Sequence, residues 1–264
     1  MGAKIFEILT YFIIYSFLGW IMESIVRSVS EKKIINTGFL KGPVCPIYGI
    51  GAIIMLLFLE RYQNKPILLF FIAIIVLTTW EYLVGVLLEK IFHTKYWDYS
   101  EQKFNFQGRI CLTNSIFWGL LGVGFINYIH PYILSLINMV DVNIFKNIIY
   151  ISITIIIIDT IISIIKVINI KPAWQKVKDL NNEIKDKLKE IKESSKLNKQ
   201  KVPEEVNKTV VELEKRRNKI TRKLYKYVYR LKNAFPAIDT KEITEILNKK
   251  ITFKKNKTNE KGRK

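Results

Sequence analysis

An all-α, polytopic membrane helix bundle followed by a helical hairpin is the fold class this sequence predicts, and three observations predict it. Five apolar stretches approach the about 20 residues that a helix needs to cross a bilayer core of roughly 30 Å. Apolar content and basic charge occupy different parts of the chain. The last third carries apolar residues spaced by three or four.

The stretches are Ile5–Val26, Pro46–Leu59, Ile67–Leu88, Ile110–Leu136 and Ile148–Ile168, giving about five transmembrane helices within residues 1–170. Ile5–Leu18 has the apolar character of a signal-peptide core, but no small-x-small cleavage site follows, so it reads as a retained first span. Pro46–Leu59 is short and opens on Gly42, Pro43, Pro46 and Gly49. The two prolines forbid regular helix around Val44 and Cys45. A re-entrant helix is the alternative there. Pro131 falls late in the fourth stretch, which makes Tyr132–Leu136 an interfacial segment.

Of the 264 residues, 1–170 carry 13 Lys+Arg against 10 Asp+Glu, and 171–264 carry 29 against 13. The net charges are +3 and +16, which sum to the +19 of the whole chain. The connections after the first and third stretches hold Arg27, Lys32, Lys33 and Lys41, and then Lys90, Lys95, Lys103 and Arg109. The alternate segments hold only Lys4, then Arg61 and Lys65, then Lys146. The positive-inside bias then predicts a multi-pass cell-membrane protein with its N-terminus outside and its tail cytoplasmic. That alternation also requires the short second stretch to cross.

The tail, 171–264, is basic and helical. Trp174, Val177, Leu180, Ile184, Leu188 and Ile191 line one face. The pattern stops at Ser194–Lys201 and Pro203. It resumes through Val206, Val210, Leu213, Ile220, Leu224, Val228 and Leu231, so the two helices form an antiparallel coiled-coil hairpin. Asp239 with Glu242 resembles a capping box, which opens a short third helix near Lys241–Lys250. The lysine-rich end reads as disordered. The excess charge reads first as positive-inside bias with solvated helix faces; anionic lipid is the partner it would otherwise attract, and no nucleic-acid motif of recognisable spacing is present.

The sequence has no Walker A loop, HExxH, GxSxG or dinucleotide fingerprint. Cys45, Cys111, His93 and His130 form no zinc-binding spacing. The chain does not read as an enzyme, and neither a catalytic residue, a metal nor a cofactor is expected. Ionisable residues inside spans are costly and are therefore functional candidates. Glu23, Glu81 and Asp159 lie in spans, and Arg109 opens the fourth. Rises of about 1.5 Å per residue bring Glu23, Glu81, Arg109 and Asn114 toward one depth, where two carboxylates could share one guanidinium. Asp159, alone among isoleucines, suits a satisfied inward-facing carboxylate. The segment between the third and fourth stretches adds Trp97, Asp98, Tyr99 and Asn105. Tyr96, Trp97 and Tyr99 suit a membrane interface, and Asp98 to Ser100 suits an Asx turn.

GFLKGPVCPIYGIGA (38–52), WEYLVGVLLEKIF (80–92), YWDYSEQKFNFQGRICLTNSIFWG (96–119) and SFLGWIMES (16–24) resemble the signature blocks of the ABC-transporter type IV family, the CmpB-type permeases. The resemblance covers about residues 5–170 and leaves the tail outside. It implies a permease component and a separate ATPase subunit. It carries recurring polar positions onto Glu23, Glu81, Trp97, Asp98, Tyr99, Asn105, Gly108, Arg109 and Asn114. The family's Asn-Gly-Arg is Gln107-Gly108-Arg109 here. Five spans also suit a component that self-associates, so a homo-oligomer is expected. The implied function is transport of a small polar or anionic solute, and the alternative is a membrane sensor or scaffold acting through the tail.

Overall fold

The computed structural model describes residues 2–92, 95–198, 204–235 and 237. Two compact units emerge. The first is Met1–Ser163 with Lys232–Asp239, and the second contains Ile164–Leu231.

In the first unit, α1 (Gly2–Ser30), α3 (Pro66–Phe92) and α6 (Val142–Ile168) are long helices. A fourth long helical run joins α4 (Leu112–Gly124), a π-helical turn (Phe125–Ile129) and α5 (His130–Ile137). Among the described residues, four helices are long and apolar enough to cross a membrane, and they lie in these four runs. The fourth runs as helix through Pro131 and across the 132–136 segment expected to be interfacial. Proline removes a backbone donor and crowds the preceding turn, and the widened π turn just before it absorbs both effects, so helix continues to Ile137.

The second apolar stretch differs. α2 (Pro46–Leu59) has 14 residues, about 21 Å of helix, too short for the bilayer core. Residues 34–45 run beside α1 as irregular chain before it. Their backbone is satisfied by serines on one stripe of α1. Ile35 N donates to Ser28 Oγ at 2.9 Å, and the Ser24 and Thr37 hydroxyls bond at 2.7 Å. Deeper still, Cys45 N donates to Ser16 O at 2.9 Å, level with the middle of α1. From α6, Asp159 Oδ2 accepts from Gly42 N at 2.7 Å. Ile35, Thr37, Leu40 and Cys45 are buried. Irregular backbone at membrane depth needs this kind of enclosure, because lipid offers no hydrogen bonds. α2 then packs closely on α1 through Gly49, where an added Cβ would fall 2.1 Å from Ser16 Oγ and 2.5 Å from Phe12 O.

The apolar core lies toward the opposite end of the bundle. Tyr15, Met55, Leu59, Leu69, Ala73, Leu77 and Phe125 fill it. The end carrying the 31–45 and 95–111 connections is the polar one.

In the second unit, α7 (Ile170–Asn198) and α8 (Glu204–Ala234) pair antiparallel. Ile184 packs with Val210 and Leu213, flanked by Leu180 and Ile191, and Arg217 reaches Asn181 at 3.3 Å. Leu188, expected in the seam, is instead exposed: the seam follows 177, 180, 184 and 191, and 188 turns away from it. Helix also runs through Ser194 to Asn198, past the expected break. Helical hydrogen bonds cross Asn169, with Asn169 N on Ile165 O and Ala173 N on Asn169 O, both 3.0 Å. Pro172 sits in the first turn of α7, where its missing donor is tolerated. The expected helix at 241–250 and the lysine-rich end lie outside the described residues.

Candidate functional site

Glu81 anchors the polar end. It lies on the inner face of α3 and is only 6% exposed. Its Oε1 accepts from Tyr99 Oη at 3.1 Å and from Asn114 Nδ2 at 3.0 Å. Its Oε2 accepts from Trp118 Nε1 at 2.9 Å. Asn114 Nδ2 also donates to Tyr99 Oη at 2.6 Å. Asn114 and Trp118 are four apart on α4 and so share a face. Three uncharged donors from two elements therefore solvate one carboxylate.

Tyr99 reaches Glu81 because the 95–111 connection folds as a rigid module. β1 (Asn105–Phe106) and β2 (Ile110–Cys111) form a short antiparallel hairpin, with Phe106 opposite Ile110. Asp98 makes the expected Asx turn: its Oδ1 accepts from Ser100 N at 3.0 Å and Ser100 Oγ at 2.6 Å, with Lys95 at 3.4 Å. The Ser100 hydroxyl is the main cause that holds the Asp98 carboxyl below the usual carboxylate range. Asn105 Nδ2 donates to Ser100 O and Gln102 O at 3.1 and 2.8 Å, and its Oδ1 accepts from Gly108 N at 3.1 Å. Gly108 has φ +68°, and a Cβ there would meet Asp98 Oδ1 at 2.4 Å, so this turn requires glycine. Burial, reinforced by the Glu81 charge, pushes the Tyr99 phenol up.

Arg109 does not serve Glu81. Its Nε and Nη2 both bind Glu89 Oε2, at 3.0 and 2.6 Å, its Nη1 binds Gln107 Oε1, and the guanidinium lies 5.8 Å from the Tyr82 ring centroid. Glu89 is eight residues beyond Glu81, about 12 Å along α3. The expected sharing of one guanidinium by Glu23 and Glu81 is therefore corrected. The hairpin delivers Arg109 two turns further along α3, to a carboxylate that the sequence reading passed over.

Glu23 is separate again. It lies at the N-terminal turn of α2, 3.9 Å from Cys45 Sγ and hydrogen-bonded by Tyr48. The positive end of the α2 dipole faces this carboxylate. Tyr48 stands within electrostatic range of both Glu23 and Tyr99. Asp159 is spent on Gly42, with Ser163 Oγ at 3.4 Å.

The expected interfacial aromatics turn inward. Tyr96 is buried, Trp97 Nε1 donates to Arg109 O at 2.9 Å, and Tyr99 points to Glu81. Trp97 finds its partner inside the module and Tyr99 finds its partners on α3 and α4, which decides their direction. Gly85, Leu88, Glu89, Lys95, Tyr96, Trp97 and Arg109 line a cleft of about 10 Å³, about the room one water needs. It takes in Arg109 but neither Glu23 nor Glu81. Among the described residues no group of three or more His, Cys, Asp and Glu is placed to hold a metal ion.

Long apolar helices around a polar, carboxylate-bearing end define a polytopic helical membrane protein. Residues 10–164 match the family described as "Putative ABC-transporter type IV", and the chain belongs to that family. No curated protein and no solved structure matches the chain.

Proposed function

We propose that this chain is the membrane-embedded permease component of a transport system for a small polar solute. It works as a non-catalytic subunit beside a separate ATPase, and without a cofactor. The observation that carries the reading is the broken second apolar stretch: irregular backbone gives way in mid-bundle to the half-length α2, with Glu23 at its N-terminal turn. Transporters build substrate sites from such interrupted helices. Glu23 and Glu81 are hydrogen-bonded by uncharged donors, which favours a polar solute over an anionic one. The basic connections support an N-terminus outside and a cytoplasmic tail.

The test is purification of the intact protein in mild detergent. A nucleotide-hydrolysing subunit in fixed ratio is expected. Its turnover should change in Glu23→Gln while the complex stays assembled. Purification with self-association alone would overturn the reading in favour of the scaffold. One observation favours that second reading: α7 and α8 form a paired-helix arm with a basic exterior, suited to anionic lipid or to a second copy of the chain.

A further inference from the structure

The hairpin displays two aromatic side chains that stay largely exposed among the described residues. Phe104 is 81% exposed and Phe106 is 55% exposed. Phe104 has φ +52°, a left-handed conformation that costs a non-glycine residue energy. The Asn105 and Gly108 network holds it there. A surface in water would not ordinarily hold a backbone this way in order to expose a ring.

The surroundings identify the medium. Leu112 N donates to Phe104 O at 3.3 Å, so Phe104 adjoins the first residue of α4. Leu112, Ile116 and Leu120, spaced by four, are all exposed and form the outward stripe of that spanning helix. Phe106 rests 5.7 Å from the ring of Tyr82 on α3, a helix whose outward face carries the exposed Leu83 and Leu87. The two phenylalanines thus extend the outward apolar surface of α3 and α4. Depth agrees: α3 has 27 residues, about 40 Å, so roughly 10 Å of it overhangs a 30 Å core. Tyr82 is ten residues from the loop end of α3, which puts it within a few ångström of the core boundary. Lys103 beside the tip suits headgroup phosphates.

We propose that the hairpin tip is a lipid-docking surface: Phe104 and Phe106 insert into the interfacial zone of the leaflet at the loop end. The inference needs only that the bundle lie in a bilayer, and it stands apart from the transport reading.

The test uses the full chain in lipid nanodiscs, spin-labelled singly in Phe104→Cys, Phe106→Cys and Glu101→Cys. The wild type, whose Cys45 and Cys111 are buried, measures background labelling. Relaxation by oxygen is compared with relaxation by a water-soluble nickel chelate. The expected result is an oxygen-to-nickel ratio several-fold higher at 104 and 106 than at 101. Nickel access at 104 and 106 equal to that at 101 would place the tip in water and overturn the proposal. Shielding from both reagents would mean a contact with a second copy and would also overturn it. If Phe104→Cys does not purify, Phe104→Trp read by brominated-lipid quenching against the wild type decides between the same outcomes.

Discussion

The two irregular connections at one end of the bundle, 31–45 and 95–111, satisfy their backbones by opposite means. The first borrows from its neighbours. Ser16, Ser24 and Ser28 of α1 and Asp159 of α6 provide its acceptors, and it contributes few of its own. The second is largely self-sufficient. Asp98, Asn105 and Gly108 build it from within, and it reaches outward chiefly through Tyr99 and Arg109. Order in the first therefore depends on the bundle, whereas the second is a preformed piece fastened at a few points. Each has a built-in reporter, because Cys45 ends the first, Cys111 ends the second, and both are buried.

The contrast breaks most severely where α1 and α2 touch. Gly49→Val drives a side chain into Ser16 Oγ and the Phe12 carbonyl. It should abolish the monodisperse peak in fluorescence-detected size exclusion. Glu81→Ala comes next. It strands three half-buried donors at about 1–3 kcal/mol each at most, so the thermal midpoint should fall by several degrees. Maleimide labelling of Cys111 should speed up while Cys45 stays slow, and equal acceleration of both would contradict the fastening-point picture. Asp159→Ala and Ser24→Ala should each cost about 1–2 kcal/mol and show the reverse pattern, with Cys45 unmasked and Cys111 closed. Gly108→Ala forces a side chain into the left-handed region at about 1–2 kcal/mol and into contact with Asp98. Its effect should be confined to hydrogen exchange across 98–108.

The smallest effect is a pH response. The Asp98 carboxyl is held below its usual range in the fold, so its contribution is present above the unfolded value of about 4 and is lost as pH falls through the folded value. Asp98 is substantially exposed, and the loss should be slight. Amide exchange at Ser100 should accelerate in acid in the wild type and lose that dependence in Asp98→Asn.

Much of this was legible beforehand for definite reasons. Apolar runs of membrane length and the three-four spacing of the tail depend on local periodicity, which a sequence carries directly. The nearness of Glu81 and Asn114 was also within reach, because helix rise fixes depth, whereas Tyr99 comes from a connection to which rise gives none. Arg109 was misassigned for the complementary reason. Glu81 and Glu89 lie eight residues apart on a similar face of α3, and only the hairpin's path chooses between them. Trp118 had a signal that went unused: it is four residues after Asn114 on the same helix. The serines at 24 and 28 also lay in plain view along α1, but two hydroxyls near the end of an apolar span give no hint that their partner is bare backbone, and Ser16 takes part only through its main-chain carbonyl.

That arrangement has a consequence for how the chain is made. Alone, α2 is too short to span a bilayer, and the segment before it would carry unpaired amides into lipid. Most of its acceptors exist only when α1 already stands beside it. α1 and the segment that follows it would therefore leave the insertion machinery as a pair. A mutation at Ser24 or Ser28 would then be felt during synthesis, as a failure of the following segment to enter the membrane, before any mature protein existed to be destabilised.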